Sequence, residues 1–223
     1  MITLILNNRE KVRCPAGWHE VTVDMAQRIA QWSGDKIELF NILTGTSYAK
    51  IKADTSLGSA FFDAINFAYF PATVANEPLP KVLRIDAGHI IEIPKKVGSL
   101  TIGQAIAVRE RLEQVEKRLS ETPKTYFFKT SKEEIGVSYY EEAISFAVAV
   151  YLQPLYDKAE FDLNRAKNLE QFILKMPITL IYPIGFFLLS QHLKSGNGLI
   201  QAFQAMLWDL KQRFVGKRAK TRK

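Results

Sequence analysis

The chain has 223 residues, of which 47% are hydrophobic and 24% charged, and both fractions are ordinary for a globular protein. That length is ample for a hydrophobic core without disulfides or metal, so a wholly disordered chain is excluded. Cys14 is the single cysteine, which excludes a disulfide scaffold and fits a reducing compartment.

The net charge of +7 lies almost entirely at one end of the sequence. Residues 211–223 hold seven cations and no acid, so residues 1–210 are close to neutral. We interpret this basic tail either as a solvated, solubilising end or as a contact for phosphate or an acidic partner. Its cations are Lys211, Arg213, Lys217, Arg218, Lys220, Arg222 and Lys223.

Neither a signal peptide nor a membrane span is predicted. The apolar start at residues 2–6 is too short for a signal peptide and lacks a basic leader. The longest apolar run, residues 178–189, holds twelve residues, whereas a span needs about twenty. We therefore expect a soluble intracellular protein without a membrane partner.

Local patterns predict strands and helices along most of the chain. Hairpins are expected over residues 3–14 and 82–93, and Thr22 and Asp162 fit helix N-caps. Residues 120–137 are expected to form a loop, and a capping-box spacing at Ser138 is expected to begin the next helix. Helices are predicted over 23–32, 37–43, 55–70, 101–119, 143–156, 162–175, 178–194 and 199–214. In the helix over 162–175, the residues expected to face inward are Leu163, Ala166, Leu169, Phe172 and Ile173.

Residues 2–29 and 81–108 share an apolar pattern at a constant offset of 79. In both, a hairpin is followed by a proline, a threonine cap and a helix. Either this is a structural repeat, or the two units share only turn and cap chemistry. Because a lone hairpin is marginally stable in water, the two hairpins are candidates to pair as one four-stranded antiparallel sheet.

These elements predict an α+β fold, mainly α, in which two β-hairpins accompany a C-terminal bundle of four or five helices. The expected organisation has four parts. They are a hairpin and three-helix unit at 1–70, a proline-containing linker at 71–80, a second hairpin plus helical bundle at 81–210, and the basic tail at 211–223.

No catalytic or metal-binding pattern stands out in the sequence. His19, His89 and His192 lack the spacing of metal ligands, and Cys14 is interpreted as a buried strand residue rather than a nucleophile. Phosphate-loop, dinucleotide-binding, nucleophile-elbow and zinc-protease patterns do not occur. We predict a non-enzymatic protein without metal or cofactor.

Aromatic residues concentrate in two segments, 151–156 and 181–188. The second contains Pro183, which bends a helix, and Gly185, which permits close approach by a neighbouring helix or a partner. Core packing explains such residues, and the alternative is a groove for a partner helix. The candidate partner-binding residues are Tyr151, Tyr156, Tyr182, Phe186 and Phe187.

Several segments resemble proteins encoded in the morphogenesis regions of tailed bacteriophages. A Trp-His-Glu-Val-Thr opening at 18–22 precedes a helix, and Leu-Phe-Asn-Ile-Leu-Thr-Gly follows at 39–45. Segments 99–104, 151–156 and 182–188 look like those of tail assembly chaperones in phages of Bacteroidetes-type hosts. The resemblance covers most of residues 15–190.

This resemblance implies a non-enzymatic assembly factor in the host cytoplasm. Such a chaperone binds the helical tape-measure protein until tail-tube subunits polymerise around it, and it often acts in multiple copies. The basic tail and the large helical half depart from the usual pattern and leave two alternatives. One is a structural virion component (connector, neck or tail) whose basic tail contacts DNA or an acidic neighbour, and the other is a non-specific nucleic-acid-binding protein.

Overall fold

A computed structural model describes residues 1–7, 9–32, 34–53, 65–69, 78–85, 88–94, 100–121 and 132–192. Within these ranges the fold is mainly helical with two small antiparallel sheets, so the predicted α+β, mainly α class is confirmed. Several predictions fall outside the described residues: most of the helix over 55–70, most of the 71–80 linker, the helix over 199–214 and the basic tail at 211–223.

The described strands and helices follow the chain in a simple order. The strands are β1 (Ile2–Ile5), β2 (Lys11–Cys14), β3 (Val82–Arg84) and β4 (Ile90–Glu92). The α-helices are α1 (Val23–Ala30), α2 (Lys36–Thr44), α3 (Tyr48–Ala53), α4 (Ile102–Glu121), α5 (Lys132–Asp157), α6 (Leu163–Ile173) and α7 (Ile178–His192). Short 3-10 turns occupy Trp18–Glu20 and Asn66–Tyr69.

Helix ends follow local chemistry. The Thr22 side chain accepts a hydrogen bond from the Met25 backbone at 3.2 Å, which begins α1 as predicted. Asp162 begins α6 in the same way by accepting from the Arg165 backbone at 2.9 Å. Gly45 ends α2 in the left-handed conformation at φ 72°, a backbone geometry that glycine adopts without steric cost.

The two hairpins form separate sheets, so the expectation of one four-stranded sheet is wrong. In the described residues β1 pairs with β2, and β3 pairs with β4. Val12 and Cys14 face inward from the first hairpin, and Leu83 and Ile91 face inward from the second. Helix α2 packs against β2, and α5 packs against β4. Because a helix already covers each apolar face, neither hairpin needs the other as a neighbour.

Equivalent backbone hydrogen bonds recur 79 residues apart in the two hairpins. The Leu6 N–H donates to the Glu10 carbonyl at 2.9 Å, and the Ile85 N–H donates to the His89 carbonyl at 3.0 Å. The strand registers also correspond, because three of the four β1–β2 pairs have a β3–β4 counterpart. At the fourth position, the Ile93 N–H donates to the Lys81 carbonyl at 2.9 Å.

The helix starts repeat at the same offset. The Thr101 hydroxyl accepts from the Gln104 backbone at 3.3 Å, as Thr22 does from Met25. Residues 2–29 are therefore called the first unit and residues 81–108 the second unit. The 79-residue pattern corresponds to a repeated hairpin-to-helix structure.

Helix α5 is the centre of the bundle, since it packs against α4, α6, α7 and α1. Residues 143–150 are buried around the whole helix. The backbone is helical from Lys132, so the predicted loop is wrong for residues 132–137 and the helix begins before Ser138.

One hydrophobic cluster joins the parts of the fold. It includes Leu6 from the first hairpin, Leu83 from the second and Leu152 from α5. Two described positions correct the predicted inward face of α6, because Leu163 and Phe172 are exposed. They lie on either side of the buried stripe of that helix, which is narrower than the predicted inward face.

Candidate partner-binding site

The five predicted partner-binding residues lie on two adjacent helices. Tyr151 and Tyr156 belong to α5, whereas Tyr182, Phe186 and Phe187 belong to α7. Tyr182 is only 4% exposed and is part of the core, while the other four are partly buried against the same cluster. The Tyr182 and Phe186 rings meet edge to face, with centroids 6.1 Å apart. Only the outer parts of the four half-buried side chains are accessible to a partner.

Gly185 allows α7 to approach α5. A Cβ atom at this position would overlap the Ile144 side chain and lie 3.4 Å from Cγ2 of Val148. The close approach indicated by the sequence is therefore made by a neighbouring helix of the same chain, and it fixes the depth at which the α7 aromatic residues sit.

Three elements meet near the turn between α5 and α6. The His89 ring lies 4.7 Å from the Tyr156 ring, which places the second hairpin against the end of α5. At the start of α4, a Cβ on Gly103 would be 3.3 Å from the Phe161 ring. We call this region, where α5 ends and α4 and α6 begin, the bundle end.

The bundle end carries large apolar side chains that the core leaves exposed. Ile102 is 81% exposed and Ile106 is 50% exposed. They lie one turn apart on α4, on the side opposite the buried Gln104 and Ala107. These two positions were not predicted as exposed from the sequence. Their phase on the helix differs from that of the buried stripe, and that difference was the available signal. The exposed apolar residues at the ends of α4, α5 and α6 that form the bundle end are Ile102, Ile106, Leu155 and Leu163.

Two buried glutamines hold the bundle end in place. The Gln104 amide donates to the Val150 carbonyl at 3.0 Å, which ties α4 to α5. The Gln153 amide donates to Asp157 at 2.7 Å, and its oxygen accepts from the Asp162 backbone at 2.9 Å. Buried amides with satisfied hydrogen bonds fix a local geometry, so the exposed residues stand on a rigid base.

A second polar network lies deeper in the bundle. The buried Glu170 carboxylate accepts from Arg111 at 3.0 Å and from the Ser145 hydroxyl at 3.0 Å. The Gln27 amide donates to that hydroxyl at 3.2 Å, and the Arg111 guanidinium lies 4.6 Å from the Phe146 ring centroid. These contacts link α1, α4, α5 and α6 through one carboxylate.

The predicted burial of Cys14 is confirmed. Burial, assisted by the Glu20 charge, raises the pKa of the Cys14 thiol to about 11. The thiol is therefore neutral near pH 7, the form in which cysteine is a poor nucleophile.

His19 and His89 are both exposed. In the part of the chain that the structure describes, we find no group of three or more His, Cys, Asp or Glu residues arranged to hold a metal ion. None of its helices combines the length and hydropathy needed to cross a membrane. Comparison with protein-family models, curated proteins and solved structures found no match to this chain.

Proposed function

We propose that this protein is a non-enzymatic phage assembly factor, of the tail assembly chaperone type, that binds a helical segment of a tape-measure-like protein in the host cytoplasm. The observation that supports this is the exposure of Ile102, Ile106, Leu155 and Leu163 around the bundle end. Contiguous exposed apolar surface commonly marks an interaction site, and we propose that these four side chains contribute to one. The resemblance to phage morphogenesis proteins supplies the class of partner.

The half-buried aromatic residues are a second part of the proposal. Tyr156 belongs to the bundle end itself, because it stacks on His89. Phe186 and Phe187 are partly buried on α7 and leave their outer edges accessible. The buried Tyr182 ring contacts the Phe186 ring edge to face. Aromatic anchors with a buried base are favourable in protein interfaces because they lose little conformational freedom on binding.

Replacement of Phe186 and Phe187 by alanine is expected to weaken capture of the tape-measure-like protein at least tenfold. The outer edges of both rings are lost from the contact, while most of the core remains. The measurement is co-purification of the co-expressed tape-measure-like protein with tagged wild-type and variant chains, together with circular dichroism. Phe172→Ala is the matched control, because Phe172 is exposed on α6.

Three outcomes would contradict the proposal or its site. Failure of the wild-type chain to capture the partner rejects the chaperone function. Unfolding of the Phe186 and Phe187 variants assigns both rings to the core and rejects their part in a groove. An equal loss of capture with Phe172→Ala rejects the site-specific interpretation.

A further inference from the structure

The outer face of the first hairpin carries a row of cations. Lys11 and Arg13 alternate along β2 with the buried Val12 and Cys14, so both are exposed on the side away from the core. Arg9 is exposed in the turn that precedes β2. Alternate residues of a strand stand about 6–7 Å apart. We call Arg9, Lys11 and Arg13 the basic strip.

Nearby acidic residues do not neutralise the basic strip. Glu10 pairs with Lys50 of α3 at 3.0 Å, and Glu20 pairs with the N-terminal amino group. The residues of β1 that lie opposite the strip are Thr3 and Ile5, which carry no charge. Within the described ranges, no member of the strip takes part in a salt bridge. The strip therefore presents uncompensated positive charge to solvent.

The second hairpin shows that the fold does not require these cations. At the offset of 79, the basic strip corresponds to Gly88, Ile90 and Glu92. The second hairpin keeps the antiparallel register of the first without a cation at any of these three positions. The positive charge is thus a property of the surface of the first unit, and it is not needed to form the hairpin.

Arg9 also has a backbone conformation that disfavours its side chain. Its φ is 63°, in the left-handed region where a Cβ atom is crowded and glycine is favoured. The residue at the equivalent position of the second hairpin is Gly88. Residues in costly backbone conformations concentrate at functional sites. A cation in place of glycine at such a position therefore supports a role for its charge.

We infer that the basic strip binds the phosphate backbone of a nucleic acid. Arg, Lys and Thr side chains are common donors to phosphate oxygens, and a two-stranded ribbon fits the major groove of a DNA duplex. A row of cations without acids suits a polymer that is charged at every monomer. Residues 211–223 add seven cations and no acid to the same chain, which favours a long polyanion over a single phosphate. This binding does not depend on the proposed chaperone function.

Fluorescence anisotropy of the full chain with a labelled DNA duplex tests the basic strip. The strip variant combines Arg9→Gly, Lys11→Gln and Arg13→Gln, and it is expected to bind at least tenfold more weakly at low salt. Each lost phosphate contact lowers the slope of log affinity against log salt by about 0.9, so the slope is expected to fall by about 2–3. The melting temperature is expected not to fall, because glycine adopts the Arg9 conformation without steric cost.

The matched control removes three exposed cations elsewhere. Lys158→Gly combined with Lys167→Gln and Lys175→Gln makes the same change in net charge, and Lys158 also has a positive φ, of 52°. Binding is expected to weaken by about twofold or less, because only the overall charge changes. Equal losses in the two variants, or no DNA binding by the wild type, would overturn the inference.

Two further outcomes would also overturn it. An unchanged DNA affinity in the strip variant would assign any binding to cations outside the strip, such as those of residues 211–223. Poly-glutamate serves as a second labelled probe under the same conditions. If the strip variant loses affinity for poly-glutamate but not for DNA, the strip is a contact for an acidic protein instead.

Discussion

Gly185→Val is expected to lower the free energy of unfolding by about 3 kcal/mol, because overpacking a filled helix contact costs about 1–3 kcal/mol and occasionally more. A Cβ at this position already overlaps the Ile144 side chain, and valine adds two methyl groups. The better helix propensity of valine returns only a few tenths of a kcal/mol. Urea denaturation followed by circular dichroism measures the change.

Gly103→Ala is the control for the Gly185 substitution. Gly103 is also a helical glycine, but its Cβ would meet the Phe161 ring at 3.3 Å rather than overlap a side chain. The gain of about 1 kcal/mol in helix propensity is expected to offset this tight contact. An unchanged urea midpoint for Gly185→Val would show that α7 does not pack on α5 at this depth.

Arg111→Ala is expected to cost about 3 kcal/mol, because removing one partner of a buried ion pair leaves the other charge uncompensated. Glu170 would retain the Ser145 hydroxyl but lose the Arg111 guanidinium that now lies 3.0 Å away. Arg111 is itself partly exposed, which places the expected cost at the lower end of the usual range. The measurement is again equilibrium unfolding in urea at pH 7.

Arg109→Ala is the matched control for this charge effect. Arg109 lies two residues earlier on α4 and pairs with Glu113 at the surface. Exposed pairs of this kind contribute about 0.3–0.5 kcal/mol. Equal losses for the two variants would contradict the assignment of Glu170 as a buried carboxylate that depends on Arg111.

Local signals predicted the starts of helices better than their exposed faces. Thr22 and Asp162 could be assigned from sequence because N-caps act through backbone groups a few residues away. Leu163 and Phe172 were wrongly expected to face inward, since their phase on α6 lies at the margin of the buried stripe. Whether a residue at the edge of the stripe is buried depends on where the neighbouring helices pack. Local periodicity does not specify their positions.

Long-range contacts account for the parts of the site that the sequence analysis missed. Arg111 and Glu170 are 59 residues apart, and neither belongs to a short motif. Tyr182 was predicted to bind a partner, but it is buried in the core, and its burial depends on packing with other elements. Ile102 and Ile106 form an apolar stripe on α4 whose phase differs from that of the buried stripe. Their correspondence to Val23 and Gln27, 79 residues earlier, could be read from the sequence.

Quantitative mass spectrometry of purified phage particles and of the infected-cell lysate would distinguish a chaperone from a virion component. The alternative of a virion component rests on the basic residues 211–223, which suit contact with DNA or an acidic neighbour. A chaperone that releases its partner is expected to be abundant in the lysate and absent from particles. A fixed, stoichiometric copy number in the particles would contradict that function and make this protein a structural component.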